Sequence, residues 1–295
     1  MTAIINRNEI WRKRAEKITN RVNDTFPEPK FQNWELCEEF LLSGLACAKW
    51  IIELSINNEI AAHLLAQLAT YLQEVKADYN QVKIFKEKSL ASYKVLFEDD
   101  SIQVAKSKND LANLYVTLKK FEEAEILFNQ SLKTKEKLLN ENDPSVGKTL
   151  NNIAWLYDEQ GRYIESKPLR KRSIKIMKHS HGKNSAEFAT CLGNLGEWYR
   201  KQEYYAKAER LLLKDLEITK AIQGDNHPDV ATNLNNLAGN YRDSGNYEAA
   251  KPLYQKSIEI LENTLGINHP YTKKVRANYE KLLAAITSKI YPINQ

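Results

Sequence analysis

The sequence predicts an all-α fold, a solenoid of antiparallel helix pairs, on three observations. A 42-residue pattern, clearest from Asn226 to Ile267, recurs end to end along the chain. Within each copy apolar residues fall at i, i+3, i+4 and i+7, the spacing of one face of an α-helix. Between the two apolar stripes of a copy lies a short polar break, Asp243-Ser244-Gly245-Asn246 in the clearest one. Hairpins this thin cannot bury their own stripes, so neighbours must stack and no single central core forms.

In the clearest copy, His227-Pro228-Asp229 marks a helix start, because proline suits the first helical position and an acid complements the helix dipole there. Leu234, Leu237, Ala238 and Tyr241 make the first stripe. Gly245 is free to take the left-handed conformation that ends a helix. Tyr247, Ala250, Tyr254, Ile258 and Leu261 make the second stripe, and Ala238 and Ala250 are small where the two helices approach.

Taken from the start, residues 1–25 predict an amphipathic helix with Ile10, Ala15, Ile18 and Val22 on one side. Phe26-Pro27-Glu28-Pro29 ends it, since proline disfavours helix just before itself. Residues 34–55 predict a second, more apolar helix, with Leu41, Leu45, Ala48 and Ile52 expected to be covered from both sides. Together 1–57 form an N-terminal helical segment. Five repeats follow at 58–99, 100–141, 142–183, 184–225 and 226–267; the first carries one extra residue before Tyr79. The register is set by matching columns: Tyr115, Tyr157, Tyr199 and Tyr241 in the first helix, then Phe121, Tyr163, Tyr205 and Tyr247 opening the second. Residues 268–295 restart with Asn268-His269-Pro270 but supply one helix, made polar by Lys273, Lys274, Arg276, Lys281 and Lys289. A terminal unit without a neighbour needs a wet outer face, so this is the expected C-terminal capping helix.

Composition excludes several classes. The net charge of +5 over 295 residues demands neither a nucleic-acid nor a membrane partner. No apolar run reaches the roughly 18 residues of a membrane span, and MTAIINRNEIWRKR has no apolar signal core. Cys37, Cys47 and Cys191 are too few and scattered for a disulfide framework, which favours a reducing, cytoplasmic setting.

The columns resemble the tetratricopeptide repeat: a small residue and then Tyr in the first helix, an aromatic opening the second, Ala at the crossing. The 42-residue period, with Leu-Asn-Asn-Leu-Ala at 234–238, Leu-Asn-Asn-Ile-Ala at 150–154 and His-Pro-Asp-Val at 227–230, resembles the kinesin-light-chain variety. That resemblance implies a right-handed superhelix with a concave, peptide-binding groove. Trp34, Cys37-Glu38, Phe40-Leu41 and Leu45-Ala46-Cys47, after Phe26-Pro27, are similar to the segment joining an NB-ARC-type signalling ATPase to its repeats in bacterial proteins. The ATPase is absent from this sequence, and so is the long heptad region of kinesin light chains.

First-helix positions opposite the apolar stripe are the candidate groove. They are Lys106, Asn109, Asn113 and Val116; Lys148, Asn151, Trp155 and Asp158; Thr190, Gly193, Glu197 and Arg200; Thr232, Asn235, Gly239 and Arg242. The resemblance implies that the first Asn of Asn-Asn bonds a peptide backbone, which carries to Asn109, Asn151 and Asn235 and leaves a gap at Gly193. An amide, both donor and acceptor, suits a peptide unit. Trp155 offers an apolar anchor, while Lys106, Lys148, Arg200 and Arg242 favour an acidic ligand. The second Asn column, with Asp110, Asn152, Asn194 and Asn236, is expected to bond between helices.

Other motifs have blander readings. Gly147-Lys148-Thr149 lacks the first glycine of a phosphate loop, having Asn142 there, and no strand precedes it. His179, His181 and Cys191 fit no zinc spacing, and His227 and His269 are expected to cap helices. The run Lys167, Arg170, Lys171, Arg172, Lys175 and Lys178 could meet nucleic acid but has few interleaved aromatics, so an outward, solvated face is expected. No nucleophile–base pair or carboxylate dyad converges, so no enzyme, cofactor or metal site is expected. The reading is a protein–protein interaction module that takes a peptide or partner segment in its groove. The alternatives are the sensor region of a signalling ATPase and, more weakly, nucleic-acid binding through 167–178.

Overall fold

The computed structural model describes the backbone of residues 2–290 and the side chains of residues 9–288. Among the described residues it holds thirteen α-helices and no strand. Two compact units are formed, residues 1–140 and 141–295.

In the first unit, α1 (Thr2–Thr25) and α2 (Trp34–Glu53) precede two helix pairs, α3 (Glu59–Tyr71) with α4 (Tyr79–Leu96), and α5 (Ile102–Thr117) with α6 (Phe121–Leu138). Both leading helices pack on α3. They share one core with it, in which Ala15, Phe26, Cys37, Cys47 and Ile51 meet Leu64, Leu65 and Leu68. The N-terminal segment is therefore continuous with the first repeat's core. Its burial pattern departs from the expectation for α2. The covered line is Cys37, Gly44, Cys47, Ala48 and Ile51, whereas Ile52 is on the rim and Leu42 is 80% exposed. Leucines on both sides of a helix suggested two covering neighbours; small residues, which admit a close approach, mark the side that has one. Ile10 and Ile18 of α1 are likewise exposed.

The extra residue of the first repeat is absorbed where α3 ends. Leu72–Lys76 forms a π-helical turn, the usual way to insert one residue without changing a helix's far end.

The second unit contains α7 (Pro144–Glu159), α8 (Tyr163–His181), α9 (Ala186–Lys201), α10 (Tyr205–Gln223), α11 (Pro228–Asp243), α12 (Tyr247–Thr264) and α13 (Pro270–Ile290). Three hairpins, α7/α8, α9/α10 and α11/α12, lie side by side. Helix α13 covers the last, burying Val275 and Leu282 against Leu261, Tyr254 and their neighbours. Lys273, Lys274 and Lys281 stay exposed. The side chain of Lys289 and residues 291–295 of the expected cap lie outside the described residues.

Three sequence columns recur along the pairs. The first supplies helix N-caps. Ser101, Asp143, Ser185 and His227 accept from the amides of Val104 (3.4 Å), Ser145 (2.7 Å), Phe188 (3.2 Å) and Asp229 (3.1 Å), and His269 accepts from Tyr271 (3.2 Å). Such caps satisfy amides that a helix leaves without partners. Both histidines do this through Nδ1, so that nitrogen carries no proton; burial correspondingly pushes the His227 pKa down.

The second column is serine. Ser89, Ser131, Ser173 and Ser257 are buried in the second helices. Each donates its hydroxyl to a first-helix carbonyl: Ala62 (2.9 Å), Ala105 (2.6 Å), Gly147 (2.8 Å) and Ala231 (2.6 Å). The third column ends the first helix with a left-handed residue: Ala77, Lys119, Gly161, Glu203 and Gly245, at φ between 51° and 82°. Glycine takes this conformation without strain; a Cβ there costs about 1–2 kcal/mol. Glu203→Gly and Lys119→Gly are therefore expected to stabilise the chain by about 0.5–1 kcal/mol each, after the entropy that glycine adds to the unfolded chain. Chemical denaturation of both variants measures this, and a loss of stability would contradict it.

Candidate functional site

In the second unit the first helices α7, α9, α11 and α13 touch in succession, with α8, α10 and α12 behind them. Between α9, α11 and α13 lies a polar cavity of about 200 Å³, lined by Glu197, Arg200, Asn235, Asn236, Gly239, Arg242, Tyr254, Lys274 and Asn278.

Its charges are organised. Glu197 holds Arg200 through two hydrogen bonds, Nε at 3.0 Å and Nη2 at 2.8 Å. Asp243 accepts from Arg200 and also from Arg242, whose Nε lies at 2.8 Å. Burial opposes the Arg200 cation, but the bonds and charges of Glu197 and Asp243 outweigh it and raise its pKa. Lys274 is exposed and has no ion-pair partner among the described residues. The balance of Arg200, Arg242 and Lys274 against Glu197 and Asp243 leaves one positive charge. Tyr254, fully buried, forms the floor. Above it Gly239 has room: a Cβ would sit 3.6 Å from the Tyr254 hydroxyl and 3.9 Å from the Arg200 guanidinium.

The asparagines are tied to one another. Asn278 Nδ2 donates to Asn235 Oδ1 at 3.0 Å, and Asn194 Nδ2 donates to Asn151 Oδ1 at 3.3 Å. The first Asn of one repeat thus accepts from the second Asn of the next. Asn235 is 9% exposed, and its own Nδ2 reaches Asn236 at 3.4 Å. Its carbonyl oxygen is used inside the stack, and the rest of the amide borders the cavity.

Of the sixteen positions expected in the groove, the cavity brings together five: Glu197, Arg200, Asn235, Gly239 and Arg242. Asn151, Trp155 and Lys148 stand on α7, beyond it; the first two are half-buried and Lys148 is exposed. In the first unit, α5 carries exposed Lys106, half-buried Asn113 and buried Asn109. Val116 and Asp158, expected on the open face, are buried; Asp158 is engaged by Arg170 of its own second helix. Lys274 and Asn278 went unexpected, although each repeats a groove-side column one period on: Lys274 follows Lys106 and Lys148, and Asn278 follows Asn194 and Asn236. The register places them; reading α13 as a solvated cap hid them.

The basic run at 167–178 is broken. Arg170, expected outward, is 3% exposed. It donates to Asp158 through Nε at 3.1 Å and through Nη2, and to Asn151 at 3.5 Å. It occupies the inward position that Phe128 and Tyr254 hold in other repeats, so it must face its own first helix.

The gap expected at Gly193 is filled from behind. A Cβ on Gly193 would lie 2.1 Å from Asp215 Oδ2. Asp215 stands in the serine column and is buried. It accepts from Thr219 Oγ1 at 3.1 Å, and Asn233 Nδ2 donates to that same hydroxyl at 3.0 Å. One repeat thus exchanges Asn for Gly on the first helix and Ser for Asp on the second. Burial raises the Asp215 pKa to about 7, with Asp229 adding to the rise and the Thr219 and Asn233 bonds opposing it.

A stack of helical hairpins whose first helices line a polar cavity defines a helical-repeat protein. The chain belongs to the tetratricopeptide-repeat family: models of this repeat match residues 104–145, 145–221, 187–263 and 229–286. No curated protein matches it in sequence. Solved structures share the fold. BtubC (BKLC) from P. vanneervenii superposes with a TM-score of 0.58 at 19% identity, over 79% of this chain and 93% of that one. The kinesin light chain TPR-like repeats of Podosopora anserina give 0.52 at 19%, over 71% and 99%. NprR in complex with its cognate peptide NprX gives 0.66 at 15%, over 97% and 75%.

The paired exchange at 193 and 215 makes a double-mutant prediction. Gly193→Asn alone is expected to destabilise by about 1–3 kcal/mol through overpacking, and Asp215→Ser to relieve most of that loss. Equal losses in the single and double variants would refute the pairing. Because the folded pKa of Asp215 is raised, its favourable contribution is full below the unfolded value of 3.8 and is lost as pH rises to about 7. Asp215→Ser should flatten stability against pH over that window, measured by denaturant midpoints at several pH values.

Proposed function

We propose that the chain is a non-catalytic interaction module that binds an extended peptide or partner segment along its first-helix face. Within the second unit the peptide crosses the cavity of Arg200, Asn235, Arg242 and Lys274. The observation that carries this reading is the convergence there of an unpaired cation, two braced guanidiniums and three amides around an open space. Such groups offer directional donors to peptide carbonyls and acidic side chains at low ordering cost, because Glu197 and Asp243 already hold the arginines in place. Membership of the tetratricopeptide-repeat family supports it, and so does the fold shared with NprR, a protein whose structure contains a peptide. No helix among the described residues is long and apolar enough to cross a membrane, in keeping with a partner met in water. Residual basic charge favours an acidic segment over a basic one.

The test is selection of peptides from a random displayed library on the full chain, followed by affinity measurement on variants. Lys274→Met removes a charge that holds nothing else and should weaken binding about tenfold, the value of one hydrogen bond to a charged group. Gly239→Met should fill the cavity and block binding without breaking an ion pair. Asn235→Ala and Asn151→Ala extend the test to the amides. Peptides that bind all four variants as they bind the parent would remove the assignment.

A further inference from the structure

The first unit contains a second cavity, of about 330 Å³, that the reading above does not use. It is enclosed by α3, α4 and α5 and lined by His63, Thr70, Lys86, Tyr93, Lys106 and Asp110, with smaller residues between. Lys86 projects from α4 at the inward second-helix position that Phe128, Arg170, Leu212 and Tyr254 hold in later repeats. Arg170 is the other cation at this position, and the surroundings of Lys86 differ from those of the other inward cations.

Arg170 is matched by Asp158, and buried Lys108 by Asp99 at 2.7 Å. Lys86 Nζ donates instead to two uncharged oxygens, Gln73 Oε1 at 2.8 Å and the Asp110 carbonyl at 3.1 Å. An ammonium has three donors, so one is left over, and no carboxylate among the described residues lies within ion-pair distance of Lys86. The Asp110 side chain faces the same space but accepts from Asn109 at 3.3 Å. Burial lowers the Lys86 pKa, with the more distant charges of Asp110 and Glu74 opposing. Lys106, on the facing helix α5, is exposed and likewise has no carboxylate partner. The Tyr93 hydroxyl makes no hydrogen bond among the described residues; its ring rests on Phe97 at 6.1 Å.

We propose that this cavity receives an acidic side chain of a bound peptide, with Lys86 and Lys106 as the receiving cations and Tyr93 as a hydroxyl donor. A half-buried ammonium with no ion-pair partner is costly, and a carboxylate entering the cavity offsets that cost while using the leftover donor. The proposal deepens the peptide-capture reading by giving it a second contact, in the other unit, with a stated chemistry. An acidic residue is favoured over an amide because Lys86 and Lys106 face the single carboxylate of Asp110, which leaves one positive charge in the cavity.

The test uses the full chain with isotope-labelled lysines, observed by NMR. The probe is N-acetyl-glutamate methylamide, with the glutamine analogue as its neutral match. The expected result is a saturable shift of the Lys86 and Lys106 signals with the acidic probe, about tenfold weaker or absent with the neutral one. Lys86→Met should abolish the response at Lys106 while melting at or above the parent temperature, since an unpaired charge has been removed. Three results would overturn the proposal: Lys86 unmoved at saturating probe, equal shifts from both probes, or a marked fall in melting temperature on Lys86→Met, which would make the cation structural. A shift confined to Lys274 would remove this site and leave the second-unit cavity standing.

Discussion

Four of the five hairpins of this protein are closed by a hydroxyl from the second helix to a carbonyl of the first. Ser89, Ser131, Ser173 and Ser257 all make this bond from fully or nearly buried positions. A serine oxygen reaches a backbone carbonyl only if the two helices lie close, and they lie close only if the crossing residues are small. Ala112, Ala154 and Ala238 on one side and Ala124, Ser166 and Ala250 on the other are all fully buried. The bond matters because a carbonyl drawn out of water is expensive when unpaired and nearly free when paired. It also holds the rotation of one helix about the other, and with it which first-helix residues face outward.

From that fixed rotation the outward face of the first helices follows. The first helices of neighbouring repeats meet along their asparagines, and the bonds from Asn194 to Asn151 and from Asn278 to Asn235 hold successive repeats in register. These amides therefore serve the stack as well as the surface. The repeat centred on Gly193 breaks both columns at once, and its polar oxygen comes from Asp215 on the other helix. A buried carboxyl titrating near neutrality is the consequence, in a molecule whose other hairpins use a hydroxyl that does not titrate.

Charge is distributed by the same logic. Arg170, Lys108 and Arg200 are enclosed and each has its own carboxylate. Lys274 and Lys106 stand in the outermost first-helix column and have none. The contrast separates cations that build the array from cations with no carboxylate of their own. Lys86 belongs to the second group despite its inward position, and the two candidate cavities are where such cations gather.

Much of this was legible in the chain. The 42-residue period, the helix starts at Pro144, Pro228 and Pro270, the capping histidines and the small crossing residues are local or periodic properties, and a sequence displays those directly. The same period also carried the serine column, Lys274 and Asn278, which needed only to be followed one step further. Other features were decided in three dimensions alone. Val116 and Asp158 are buried, Arg170 turns inward to meet Asp158, α1 and α2 share a core with α3, and Asp215 fills the space at Gly193. These depend on which helix lies opposite which, at what distance and rotation. Periodicity specifies that a face is covered; the partner atoms that cover it are specified only when the chain has folded and packing has chosen among the side chains able to reach.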